Sequence, residues 1–391
     1  MPFCATKCPY CAFATRSGGQ GYMEWAVGVA AQGRRGWSGG RDGSGDRSGD
    51  GGRDRSGDGG RDRDGVDLVG GLRGPFETLY VGGGTPSLMP FSVLSTAIGW
   101  IGELQSFDSM TEITIEANPG DVTAQRCEEW LQLGFNRVSL GIQALDDNTL
   151  RFLGRRHDTA GAISALEVLR KSGFSNISID LIYGLPGQSE KAWLETLQRA
   201  IDFEVEHISC YQLTVEDQTP FGRAVASGAM VMPDEQTLVE MFILTSHTLA
   251  KAGYEHYEVS NFAKAGFRAK HNSRYWDGSP YLGLGPAAHS YDGNARWWNA
   301  DDLDVWLKEI QAPNPERLEL INDDQKRLER LALGLRTSDG VPRALVTNNE
   351  QKNRLIEQMI SNGFLQTQQD VLVPTTKGML VADAMAKALW D

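Results

Sequence analysis

From Thr78 to Leu213 the chain alternates between two hydrophobic rhythms. Short runs rich in β-branched and apolar residues occur at Thr78–Val81, Ile113–Ala117, Arg137–Ile142, Ile177–Tyr183 and His207–Leu213. Runs with helical spacing lie between them, at Ala124–Leu133, Thr159–Ser172 and Glu190–Phe203. Strand and helix in strict alternation predict a parallel sheet with helices packed outside it. In such folds the functional loops leave the C-terminal ends of the strands. Gly82–Gly84, Glu116, Gln143 and Asp180 all fall at those ends.

The pattern changes on either side of this core. Residues 323–391 read as two helices (Gln325–Arg336 and Glu350–Asn362), a short hairpin (Phe364–Gln366 with Val371–Val373) and a last helix, Thr376–Leu389. That order predicts a small winged-helix-like α+β domain. Near the other end, Tyr22–Ala31 has a helical pattern. From about Gly39 to Gly65 the sequence is an imperfect Gly-Arg-Asp-Ser repeat with no apolar side chain. Such a segment buries too little surface to offset the entropy of ordering it, so a disordered insertion is expected over 39–74. Its Arg and Asp nearly balance, which argues against an RNA-binding arm. The expected organisation is a loop at 1–17, a helix-like segment at 18–38, the insertion, a barrel core at 75–232, its closing region at 233–322 and the C-terminal domain.

Composition narrows the function. The chain has 391 residues, 40% of them hydrophobic, a formal net charge of −13 and five cysteines. No apolar run is long enough to span a bilayer. The start, Met-Pro-Phe-Cys, lacks the basic and apolar regions of a secretory signal. Few cysteines fit a reducing compartment, so a cytoplasmic protein is expected. An acidic balance argues against a nucleic-acid partner.

Three of the five cysteines stand together, Cys4, Cys8 and Cys11, in the spacing Cys-x3-Cys-x2-Cys. Thiolates are the standard ligands of a [4Fe–4S] cluster, and three of them leave one iron open to a small molecule. A structural zinc site would need a fourth ligand from far away, since no other Cys precedes Cys127 and no His precedes His157. A disulfide framework fits poorly with an odd number of clustered cysteines. Cys127 and Cys210 read as buried small hydrophobes. The motif, with Tyr10 before its last Cys, resembles the radical S-adenosylmethionine (SAM) superfamily, whose fold is a partial (β/α)6 barrel.

The resemblance extends over nearly the whole chain outside the insertion. CATKCPYCAF, LYVGGGTPSL, ITIEANPGD, GFNRVSLGIQALDDNTLRFLGRRHD, ISIDLIYGLPGQ, HISCYQLTVEDQTP and GYEHYEVSNFA are similar to the oxygen-independent coproporphyrinogen III oxidase-like radical SAM proteins. The true oxidases carry a fourth Cys two positions after the third. Phe13 stands there instead, as in the heme chaperone branch, HemW. His271-Asn272-Ser273-Arg274-Tyr275-Trp276 matches the His-Asn-x-x-Tyr-Trp pattern by which that branch holds heme.

The resemblance implies that Cys4, Cys8 and Cys11 hold the cluster. SAM is then expected at Gly83, Gly84, Thr85 and Glu116, with Gln143, Arg155 and Asp180 lining the neighbouring pocket. Arg155 would face the SAM carboxylate through its planar fork. His271 is the expected heme ligand, as neutral imidazole suits heme iron, and His289 is a rival from the same region. His157, His207, His247 and His256 read as structural. Three readings follow: a heme chaperone that binds cluster, SAM and heme and passes heme to acceptor proteins; an anaerobic coproporphyrinogen III oxidase that decarboxylates propionates by SAM radical chemistry; or an inactive heme- or metal-binding interaction protein. The third draws on one departure: relatives have a strand ending Tyr-x-His-Ile-Pro before the cluster loop, where only Met1–Phe3 stands here.

Overall fold

The computed structural model describes residues 1–17, 21–38, 76–104, 111–347 and 349–390. The expected disordered insertion at 39–74 therefore lies outside the described residues. Two short strands, β1 (Phe3–Cys4) and β2 (Arg16–Ser17), pair in parallel and bracket the three-cysteine loop. Helix α1 (Tyr22–Ser38) runs beyond the predicted Ala31. The core then alternates as the pattern predicts: β3 (Thr78–Val81), α2 (Phe91–Leu104), β4 (Glu112–Ala117), α3 (Ala124–Gln132), β5 (Arg137–Gln143), α4 (Asp147–Phe152), α5 (Thr159–Lys171), β6 (Ile177–Tyr183), α6 (Glu190–Ile201) and β7 (His207–Gln212).

These strands enter one seven-stranded sheet in the order β3-β4-β5-β6-β7-β9-β8. Neighbours from β3 to β7 are parallel. After α7 (Pro220–Ala226) and α8 (Glu235–Lys251), β8 (Glu255–Glu258) and β9 (Asn261–Ala263) close the sheet as antiparallel strands. The first residues lie along the turn that follows β3. The Met1 ammonium donates to the Gly82 carbonyl at 2.8 Å. Gly84 N–H donates to Met1 O at 2.6 Å, and Thr85 N–H to Phe3 O at 2.7 Å.

The two faces of each strand have different tasks. On β5, Val138, Leu140 and Ile142 are fully buried in the apolar core. The same core takes Cys127 and Trp130 of α3 and Ala162, Ala165, Leu166 and Leu169 of α5. The alternate residues Arg137, Ser139, Gly141 and Gln143 line a cavity on the other face, because successive strand side chains point to opposite faces. Capping fixes where the helices begin. Thr123, Asp158 and Ser189 each accept a hydrogen bond from a backbone N–H three residues on, at α3, α5 and α6.

Helix α9 (Lys270–Trp276) crosses next to β3, and β10 (His289–Tyr291), β11 (Ala295–Trp298), α10 (Leu303–Glu309) and β12 (Leu318–Leu320) follow. The last segment holds α11 (Asp323–Gly334), β13 (Val341–Pro342), α12 (Glu350–Ser361), β14 (Leu365–Gln368), β15 (Val371–Pro374), α13 (Thr376–Leu380) and α14 (Ala382–Trp390) around a small core of its own. The single final helix expected over Thr376–Leu389 is two helices. Val381, with φ −120° and ψ 22°, leaves helical geometry between them, as a β-branched residue does at little cost. Among the described residues, no helix is long and apolar enough to cross a membrane.

Candidate functional site

The cavity on the inner face of the sheet measures about 400 Å³, within the range of small-molecule sites. It collects ten of the eleven residues singled out from sequence: Cys4, Cys8, Cys11, Gly83, Gly84, Thr85, Glu116, Gln143, Arg155 and Asp180. His271 is the one outside it. Its ring lines a second cavity, also about 400 Å³, on the other side of Tyr80 and the Gly82–Gly84 turn.

The three cysteines are half-buried free thiols on one loop. Cys4 Sγ accepts from Thr85 Oγ1 at 3.4 Å, and Cys8 Sγ from Arg155 Nη1 at 3.5 Å. Burial pushes the Cys4 thiol up, against the pull of the Thr85 hydroxyl. Among the described residues, no three His, Cys, Asp or Glu side chains converge on a single metal ion. A cubane presents a separate iron to each thiolate, so it does not require that convergence. The donor set fits a cluster: three soft sulfurs beside a cavity, two of them already accepting hydrogen bonds.

The glycine turn works through close approach. A Cβ on Gly84 would stand 2.3 Å from Phe3 O, so only glycine lets the turn lie against the β1 segment. Gly83, at φ +109°, donates its N–H to Glu116 Oε2 at 2.9 Å. Tyr80 donates its hydroxyl to Glu116 Oε1 at 2.7 Å. Burial raises the Glu116 carboxyl pKa, and these two donors oppose the rise.

Gln143 stands at φ +71°, a region that a non-glycine residue occupies at a cost. The register between β5 and β6 slips between Leu140 and Gln143, which turns the amide toward the cavity. Arg155, in the loop after α4, donates from Nη2 to Gly141 O at 2.8 Å, while its buried Nε has no partner among the described residues. That unmet donor in a cavity wall fits an anionic group of a bound ligand. Asp180 accepts from Ser139 Oγ at 3.2 Å, and burial raises its pKa.

Two neighbours of this set escaped sequence reasoning. Tyr80 shares its strand face with Thr78 and Gly82, a period-2 signal that links it to the glycine turn. Arg137, fully buried, shares a face with Ser139 and Gln143, and its Nε has no partner among the described residues. A charged residue in phase with other cavity-lining positions was the available clue.

His271 sits in the first turn of α9. Its Nδ1 is 2.8 Å from Thr78 Oγ1 and its Nε2 is 2.9 Å from Tyr275 Oη. The ring stacks on Tyr80, centroids 4.9 Å apart and planes 21° from parallel. Burial, with the Arg137 charge behind it, lowers its pKa to about 4, so the imidazole is neutral at neutral pH. The cavity beside it is mostly apolar, walled by Trp25, Leu94, Ile98, Leu282 and Leu284. His289 lines the same cavity. The other histidines are placed differently: His157 and His207 are buried and hydrogen-bonded on both ring nitrogens, His256 bonds Ser246, and His247 is exposed.

With this geometry, comparison with known proteins is decisive. The radical SAM superfamily profile matches residues 1–200. "Heme chaperone HemW" of Lactococcus lactis is 36% identical over 267 residues, 68% of this chain and 70% of the relative. The HemW protein of Mycobacterium tuberculosis H37Rv is 30% identical across 100% of this chain and 93% of the relative. The chain belongs to the HemW family of the radical SAM superfamily. Among solved structures, coproporphyrinogen III oxidase (HemN) from Escherichia coli superposes with a TM-score of 0.75 at 19% identity, over 100% of this chain and 88% of that one. At that identity the likeness is one of fold. It agrees with a radical SAM α/β half-barrel.

Proposed function

We propose that this family member is a cytoplasmic heme chaperone that carries a [4Fe–4S] cluster and SAM in one cavity and heme in the other, and delivers the heme to acceptor proteins. The observation that carries the reading is an apolar cavity with a neutral imidazole, His271, directly behind the wall of the three-cysteine cavity. The names of the relatives support the same reading. So does Phe13, which is 64% exposed and lines both cavities where an oxidase would hold a fourth cysteine.

Cys4, Cys8 and Cys11 would hold the cluster, with Thr85 and Arg155 donating to two of the sulfurs. When bound, the cluster supplies a Lewis-acidic iron for chelation and an electron for redox chemistry. The chain's own part is to orient SAM. The Gly83–Gly84 backbone admits it closely, Glu116 and Asp180 offer carboxyl oxygens to amino and hydroxyl groups, and the free Nε of Arg155 meets the carboxylate. On the other side, Tyr275 would give up His271 Nε2 so that the imidazole can ligate heme iron.

An anaerobic heme titration of the reconstituted chain, followed by absorbance, tests this. Saturable binding with a Soret shift is expected, weakened at least tenfold in His271→Ala. Equal, weak binding by both proteins would reject the reading.

A further inference from the structure

The apolar cavity shares Tyr275 and His289 with a neighbouring groove of about 360 Å³. The groove has another character: Tyr281 and Tyr291 stand beside Arg296, Lys326 and Arg330. Arg296 is committed, held by both oxygens of Glu329 at 3.1 and 2.8 Å. Arg330 donates to the Asp277 backbone carbonyl at 2.6 Å and has no carboxylate partner among the described residues. Lys326 bonds the neutral amide of Asn294 at 2.8 Å and lies 3.6 Å from a fully exposed carboxylate, Asp323. An apolar cavity thus opens, past a shared His–Tyr pair, on a cationic rim.

The two histidines that line the apolar cavity differ. Both ring nitrogens of His271 are engaged. His289, on β10, is held by its face: it stacks on its cross-strand partner Trp298 with centroids 6.1 Å apart and planes 23° from parallel. Its ring nitrogens form no hydrogen bond among the described residues. A neutral imidazole held by its face and with its edge free is a ligand waiting for a Lewis acid.

We propose that His289 is a second axial ligand of bound heme, and that the heme carboxylates point along the groove toward Arg330 and Lys326. The proposal rests on the heme reading above and adds to it a ligand and an orientation. Heme is a flat apolar ring with an iron at its centre and two carboxylates on one edge, and the cavity, the imidazoles and the cationic rim match those three parts in turn. One coordinate bond forms, from the imidazole lone pair to iron. No electron is transferred and no co-reactant is needed. Guanidinium and ammonium donors to carboxylates give the strong, charge-assisted class of hydrogen bond.

The test uses the full chain and ferric heme, with absorbance and electron paramagnetic resonance as readouts. Wild type is expected to give a six-coordinate low-spin spectrum, and His289→Ala a five-coordinate high-spin one with roughly tenfold weaker binding. Free imidazole should restore the low-spin state in His289→Ala. His247→Ala, an exposed control on α8, should behave as wild type. His289→Met keeps a ligand at the position and should stay six-coordinate with an altered spectrum, which separates lost ligation from lost folding. Heme dimethyl ester should bind wild type roughly tenfold more weakly than heme, a preference that Arg330→Glu erases. A low-spin spectrum in His289→Ala without imidazole, or a high-spin one in wild type, overturns the ligand. Equal affinity for acid and ester overturns the orientation. If wild type binds no heme at all, the heme reading itself falls, and this inference falls with it.

Discussion

Tyr275 shows how one hydroxyl can regulate a site it does not otherwise fill. Its Oη occupies His271 Nε2 at 2.9 Å, although the residue is 42% exposed and, among the described residues, anchored by rings rather than by other side-chain hydrogen bonds. A typical hydrogen bond contributes about 1 kcal/mol net, and incoming iron must displace this one. Tyr275→Phe keeps the ring and removes the competitor, so heme affinity should rise about threefold to tenfold in the titration described above. A fall in affinity would mean that the hydroxyl touches the ligand instead. Single residues of this kind were only half legible. His271 was visible in its motif, but its two hydrogen bonds depend on Thr78 and Tyr275, which the fold brings to it. Gln143 stood out as a polar residue ending an apolar strand, whereas its left-handed backbone has no signal in a lone Gln.

The glycine turn after β3 and the β1 segment behave as one element. Met1–Phe3 lies along Gly82–Thr85 through three backbone hydrogen bonds, and the loop carrying Cys4, Cys8 and Cys11 leaves from there. Gly84→Ala would drive a methyl carbon to 2.3 Å from Phe3 O and to 2.8 Å from its carbonyl carbon and amide nitrogen. Nothing there is a flexible side-chain tip, so the segment must move and take Cys4 with it. Iron retained after anaerobic reconstitution should fall to less than half of the wild-type value. The melting temperature should fall as well, because the displaced Phe3 is a fully buried member of the large core cluster. Retention of full iron by Gly84→Ala would show that the loop holds itself.

At this scale the sequence spoke clearly where elements were long and regular. The five parallel strands were each a β-branched run with a defined end. The short strands β8 to β12 were not legible, since three or four residues carry too little periodicity to separate strand from loop. Helix α1 fills most of the helix-like segment expected at 18–38, although its clear periodicity stops at Ala31, where Gln32-Gly33-Arg34-Arg35-Gly36 brings two poor helix formers.

Across the whole molecule, the C-terminal segment is sewn to the sheet beside β8. Val259 N–H donates to Arg336 O at 3.0 Å, and Ser338 N–H to Tyr257 O at 2.9 Å. Glu258, between them, bridges to Thr337 and is buried, with Oε1 unpartnered among the described residues and Oε2 accepting from Ser260 N–H at 3.3 Å. Burial pushes its pKa up to about 7. The folded state therefore holds this proton between about pH 4.5 and 7 while the unfolded state has lost it, so stability drops as pH rises through that window. The full loss is about 3 kcal/mol for a shift of that size. Glu258→Gln removes the titration. Urea unfolding at pH 5.5 and pH 8.5 samples the upper part of the window and should show an alkaline loss smaller in the variant by about 2 kcal/mol, and identical losses would refute the assignment.

Tyr80 has the widest reach. Its hydroxyl holds Glu116 on the side of the three cysteines, and its ring lies flat on His271 on the other. Two compartments with one partition cannot be filled independently if a guest on either side shifts that ring. Whatever factor the first guest imposes on the affinity of the second, the second must impose on the first, by thermodynamic necessity. The order of loading then changes the path but not the final balance. The partition, rather than either chamber, sets how strongly cargo and cofactor sense each other.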